Sequence, residues 1–167
     1  MSVSSITETT QYLSFALGDE IFAVDVAKVR EILDVTAITK IPQTPDFMRG
    51  VINLRGRVVP VMDMRLKFGM PATEQTVNTC IIVIEVSHEG ETLVLGSLAD
   101  SVQEVLELEP GQIEPPPRIG TRLRSDFIKG MGRVNDQFII VLDTDRIFTV
   151  DEVIDIVEAM PNDESGI

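Results

Sequence analysis

Apolar and polar positions alternate along most of this chain in short runs, and the runs read mainly as β-strands. Tyr12–Leu17 and Ile21–Asp25 are two such runs, joined at Gly18-Asp19-Glu20, a hairpin signal. Val26–Leu33 changes period. Val26, Val29, Ile32 and Leu33 stand at helical spacing and predict a short helix. Thr36–Ile41 returns to a strand pattern that Pro42 and Pro45 end, and Asp46 is placed to cap a short turn holding Phe47. Val51–Leu54 and Val58–Asp63 form a second pair closed by Arg55-Gly56-Arg57, with Pro60 predicting an edge or a bulge in the second of them. A helical turn over Asp63–Phe68 stops at Gly69 and Pro71. Thr79–Val86 and Leu93–Leu98 read as strands around a turn at Ser87–Glu91. Val102–Leu108 fits a strand or a helical turn. Met131–Val134 and Phe138–Asp143 meet at a tight Asn135-Asp136 turn. A loop of polyproline character starts at Glu114-Pro115-Pro116-Pro117 and runs to about Ser125. Asp151–Met160 predicts an acidic amphipathic helix with Val153, Ile154, Val157 and Met160 inward, stopped by Pro161. Residues 1–10 and 161–167 read as flexible tails.

The pattern repeats. Asp46–Asp63 laid over Asp126–Asp143, an offset of 80, matches Asp, Phe, Gly, Val and Asp at five places. Phe22–Leu33 lies over Leu95–Leu106 at an offset of 73, so the second copy carries a longer connection. Short strands in two copies predict a mostly β protein of two small five-stranded barrels side by side, about 15–75 and 79–145, with short helices and a C-terminal helix over 151–160. A groove between two such halves is a natural platform for partners.

Composition and charge narrow the function. At 167 residues with 44% hydrophobic residues, the chain can form a substantial core. It has no apolar run of membrane-spanning length and no secretory signal pattern at its N-terminus. Its one cysteine forms no internal disulfide, which fits a reducing cytoplasm. A net charge of −13 without clustered cations and aromatics argues against nucleic acid and anionic lipid as partners.

Catalytic candidates are few. His88 lies in the polar HEGE turn and reads as solvated; Cys80 alternates with apolar neighbours and reads as a buried thiol. Asp143, Asp145, Asp151 and Glu152 lack the spacing and central glycine of a calcium loop and read as caps and a solvated face. Gly130-Met131-Gly132 lacks the end of a phosphate loop. Asp63 with Asp143 is a conceivable carboxylate pair, more simply read as two strand-end caps. No cofactor or metal is expected. The polar segment Asn53-Leu54-Arg55-Gly56-Arg57 stands out, because turn chemistry explains Gly56 and leaves Arg55 unexplained. Arg55 is either a solvated turn residue or a donor fork for a partner's carboxylates or carbonyls.

The runs FALGDEIFAVDVAKVREIL, IPQTPDFMRGVINLRGRVVPVMDMRLKFG, DSVQEVL and FIKGMGRVNDQFIIVLD resemble the CheW family of bacterial chemotaxis coupling proteins over about Gln11–Val150. The resemblance implies two SH3-like barrels and a non-enzymatic adaptor. It further implies cytoplasmic recruitment to receptor arrays, where methyl-accepting chemotaxis proteins are linked to the regulatory domain of the histidine kinase CheA. A paralogue serving surface motility or second-messenger control is the alternative. Positions implied for receptor contact are Glu31, Arg55, Ile81, Ile82, Gly96, Val102 and Val105; those implied for kinase contact are Val29 and Gly50. An apolar groove floor would receive the helical receptor tip.

Overall fold

The computed structural model describes residues 9–115 and 127–160. Among the described residues, eleven strands are arranged in two sheets. In chain order they are β1 (Thr10–Leu17), β2 (Glu20–Asp25), β3 (Val29–Asp34), β4 (Met48–Leu54), β5 (Arg57–Asp63), β6 (Cys80–His88), β7 (Glu91–Ala99), β8 (Ser101–Leu108), β9 (Ile113–Glu114), β10 (Ile128–Val134) and β11 (Gln137–Leu142). The helices are α1 (Met64–Lys67) and α2 (Val150–Ala159). One sheet runs β8-β1-β2-β11-β10-β9 and the other β3-β6-β7-β5-β4. Each curls around its own core, giving the two SH3-like barrels.

The repeat explains both orders. Its two offsets place β2 over β7, β3 over β8, β4 over β10 and β5 over β11, and the remaining pair is β1 over β6. Applied to β3-β6-β7-β5-β4, these equivalences give β8-β1-β2-β11-β10, the order of the other sheet. Each barrel therefore takes its hairpin from the opposite copy. The expected contiguous lobes 15–75 and 79–145 are corrected: β1 and β2 belong with the late strands, and β6 and β7 with the early ones. Short connections make the exchange. Asp25 accepts a hydrogen bond from Ala27 N at 2.8 Å, starting a 3-10 turn over Val26–Lys28 that carries the chain from β2 into the other sheet. Asp100 alone separates β7 from β8. Its Oδ2 accepts from Gly18 N at 2.7 Å and from Arg65 Nη1 at 2.9 Å, tying the β1–β2 turn and α1 to the crossing.

Three cores follow from strand alternation. Ile81 and Val83 of β6 point into one barrel, with Ile52, Val59, Val61 and Leu98. Ile82, Ile84 and Val86 point the other way, into a central core shared by both sheets. Being buried on both faces, β6 reads as an almost unbroken apolar run. Tyr12, Ala23, Leu108, Ile139 and Val141 fill the other barrel. In the central core Phe15, Phe22, Phe68 and Phe127 pack in sequence with ring centroids 6.0, 5.4 and 4.8 Å apart. Such pairs add about 0.5–1.5 kcal/mol each beyond their buried area.

Several expectations change. The helix expected over Val26–Leu33 is a single 3-10 turn followed by β3. β3 pairs with β6, and its register slips between Val29 and Glu31, so Arg30 is an extra residue. Burial alternates along β3, but Ile32 is an apolar residue on its exposed side, and together with Val29 and Leu33 it imitates helical spacing. β8, whose pattern fits either element, is a strand with the equivalent slip opposite Ser14 and Phe15. The strand expected over Thr36–Ile41 reduces to one bridge, Thr39 to Val51. Pro60 lies in an interior strand, not at an edge; β5 pairs with β7 only from Val61 onward. His88 ends β6 instead of lying in the turn, which narrows to Glu89-Gly90. On α2, Val153 and Ile156 are buried while Ile154 and Val157 are exposed. Lys67 Nζ holds Glu152 Oε2 at 2.9 Å, and the Thr149–Glu152 capping box fixes the start of the helix, so rotation is set by these contacts. Most of the polyproline loop lies outside the described residues.

Candidate functional site

The β4–β5 turn has two central residues, both with positive φ: Arg55 at 51° and Gly56 at 87°. Asn53 Oδ1 accepts from Gly56 N at 2.8 Å and closes the turn. The equivalent turn of the second copy is Asn135-Asp136, at 51° and 64°. Asn and Asp tolerate the left-handed region, whereas an arginine gains nothing there. Arg55 therefore occupies a position for which its backbone is poorly suited, the pattern expected where the side chain is kept for its chemistry.

That side chain reaches Glu31 on β3, with Nη2 donating to Oε2. β3 is an outer strand of its sheet, and Arg55 closes the hairpin at the opposite end of the strand order. The pair thus spans the two margins of the curled sheet. The hydrogen bond to Glu31 and its charge raise the Arg55 pKa further above its ordinary value. Arg55 is 69% exposed, so the pair contributes little to stability. Beside it Arg30 Nε donates to Glu85 Oε2 at 2.6 Å, and Ile32 is 46% exposed.

The structure divides the expected contact residues. Glu31, Arg55 and the half-buried Val29 gather on one barrel, while Val102 and Val105 lie on β8 of the other. At the 73-residue offset Val29 is equivalent to Val102, and Ile32 to Val105. Both members of the second pair are exposed, but sequence reading missed Ile32; the repeat itself was the signal that could have found it. Ile81 and Ile82 are corrected: both are buried, one inside a barrel and one in the central core, so neither can touch a partner or floor a groove. Gly96 is buried as well, and a Cβ there would lie 2.7 Å from Ile81 Cγ2. Gly50 is also buried, against Thr39, which corrects its assignment to kinase contact. An apolar hollow of about 260 Å³, bounded by Phe22, Phe68, Met70, Phe127 and Ile140, contains none of the expected receptor residues.

The carboxylates are occupied structurally. Asp63 is buried and accepts from Arg49 Nη1 at 2.9 Å, Thr73 N at 3.0 Å, Thr73 Oγ1 at 2.8 Å and Arg65 N at 3.1 Å. Asp143 caps the turn over Thr144–Arg146 at the end of the other sheet, and Asp145 accepts from Ser87 N at 2.8 Å. Both Asp63 and Asp143 are the caps their strand-end positions suggested. No group of three metal-ligating side chains occurs among the described residues.

Cys80 is buried, as expected. Burial raises its pKa above the ordinary 9.0, and Asp34 adds to this against a lowering hydrogen bond to the Val102 backbone. Burial also raises Tyr12 above 10.0, with Asp25 adding to it. Each group stays protonated in the folded protein at a pH where the unfolded chain ionises. Above pH 9 the native state thus binds more protons than the unfolded state, and stability falls as pH rises. Urea midpoints are expected to decline from pH 9 to 11, less steeply for Cys80→Ala once its own offset at pH 7 is subtracted.

These features define a class: a two-barrel β scaffold that carries an exposed arginine-carboxylate pair across the margins of one sheet. The CheW-like domain model matches residues 11–152. Chemotaxis protein CheW of Klebsiella aerogenes is 34% identical over 143 residues, 86% of this chain and 84% of that protein. Its Helicobacter pylori counterpart is 31% identical over 144 residues, 86% and 84%. The crystal structure of scaffolding protein TtCheW from Thermoanaerobacter tengcongensis aligns with a TM-score of 0.76 at 33% identity, covering 86% of this chain and 90% of that one. This chain belongs to the CheW family and is a non-enzymatic adaptor.

Proposed function

We propose that this adaptor links methyl-accepting chemoreceptors to the regulatory domain of the histidine kinase CheA, in the cytoplasm at receptor arrays. The observation that carries this reading is the family match across both barrels, supported by relatives of nearly the same length named for chemotaxis. No described helix is long and apolar enough to cross a membrane, so attachment to a receptor would come through contact. We assign receptor contact to Glu31 and Arg55 on one barrel and to Val102 and Val105 on the other, with Val29 retained for the kinase. Ile81, Ile82, Gly96 and Gly50 support these surfaces from beneath. Weak individual contacts would be strengthened by the multivalency of an array.

The test is kinase activity in receptor-containing membranes with CheA, with and without this protein. Strong activation that attractant shuts off is expected; no activation by folded protein with a cognate kinase would overturn the assignment. Arg55→Ala is expected to weaken receptor binding about tenfold, the effect of losing an interface hot spot. Its melting temperature should stay unchanged because the side chain is exposed. Unfolding by Arg55→Ala would remove the contact role.

A further inference from the structure

The outer face of α2 carries an apolar stripe that nothing described covers. Val150 is 52% exposed, Ile154 45% and Val157 52%. Their spacing, i, i+4 and i+7, stacks them on one side of the helix. The inward side is satisfied separately by Val153 and Ile156, so the stripe does not serve this chain's own core. Asp151, Asp155 and Glu158 run along one flank of the stripe, and the helix contains no cation. No described cation forms an ion pair with these three acids. Lys67, which reaches the helix, is committed to Glu152 and lies over the Phe47 and Phe148 rings.

Beyond the acidic flank lies an open groove of about 540 Å³. Asp155, Glu158 and Ala159 form one wall, and Ile41, Pro42, Gln43 and Pro45 the other. Two prolines restrict the backbone of the far wall, so the groove does not need to be ordered by its ligand. The family match ends at 152, before Ile154, Asp155, Val157 and Glu158. The face also shares no residue with the Glu31–Arg55 edge.

We propose that this face docks a basic amphipathic helix of a partner protein. Apolar residues of that helix would lie along Val150, Ile154 and Val157, with Lys or Arg reaching Asp151, Asp155 and Glu158 at the groove. Charge complementarity selects this occupant: a second copy of α2 would bring acids against acids, and an anionic lipid surface would be repelled.

The experiment uses the full chain and a fluorescent synthetic helix of Leu and Lys in heptad register, followed by anisotropy. Saturable binding is expected, with both Ile154→Asp and the double variant D155K/E158K weakening it about tenfold or more. A control peptide with the same composition in scrambled order should bind much less. Thermal melts should be unchanged, because all three side chains are exposed. Binding unaltered by either variant would mean nonspecific attraction to a chain of charge −13 and would overturn the proposal. So would absence of binding. Sedimentation of the protein alone provides a further outcome: a dimer that Ile154→Asp dissociates would assign the face to a second copy. Vesicle binding lost in the same variant would assign it to lipid.

Discussion

Gly50→Val is expected to destabilise the protein by about 3 kcal/mol or more, the range of severe steric and backbone defects. The φ of Gly50 is +147°, and a Cβ there would lie 2.2 Å from the carbonyl oxygen of Thr39 and 2.9 Å from Ile38 Cγ2. Backbone, not a flexible side-chain end, stands in the way. Thr39 is held there by paired hydrogen bonds with Val51 of 2.8 and 2.9 Å, so relief would require breaking that bridge. The second copy repeats the arrangement: Gly130 lies where Glu114 of β9 pairs beside Met131, and a Cβ would meet the Glu114 carbonyl oxygen at 2.9 Å. In each copy, glycine lets an extra segment cross the sheet margin. Urea denaturation checks the prediction. Receptor and kinase binding should fall together with stability. A stable Gly50→Val protein that lost kinase binding alone would restore Gly50 to the kinase surface.

Asp63→Ala should cost about 3 kcal/mol, whereas Asp143→Ala should cost about 1 kcal/mol, although the two aspartates are equivalent in the repeat. Asp63 is fully buried and removing its carboxylate strands Thr73 N, Thr73 Oγ1 and Arg65 N without their acceptor. Arg49 is less affected, since its side chain is 38% exposed and can rehydrate, which keeps the loss below that of a wholly buried pair. Asp143 is 34% exposed, and the one cap bond to Asp145 N is 3.1 Å long. Asp63→Asn, keeping one acceptor oxygen, should fall between them. Equal costs for the two alanine variants would show that burial does not separate their roles.

The contrast between Asp63 and Asp143 indicates how far a sequence match extends. The repeat shows that both aspartates end a strand and cap the next helical turn. It does not show that the segment carrying Thr73 folds back over only one of them. Arg55 is the converse case. Its turn, its polar neighbours and its mismatch with turn chemistry are all local and were legible. Its pairing with Glu31 depends on the curl of a sheet between residues 24 apart in sequence.

The chain's pattern by itself determined the hairpins, the strands of β5, β6, β7 and β11, the turn at Asn135-Asp136 and the duplication, because these depend on alternation and on turn residues close in sequence. Family membership was also legible, carried by the long matching strings. Tertiary structure alone decided that the hairpins are exchanged between copies, that β3 is a bulged strand, and that Ile156 joins Val153 inward while Ile154 and Val157 face out. It also decided that Ile81 and Ile82 are sealed in two different cores. The physical reason is common to all four. Periodicity records that a residue is apolar at a given phase, but not which surface meets it. Hydrogen-bond ladders and buried area are satisfied as well by a partner strand distant in sequence as by a neighbour, and only the packed structure selects between them.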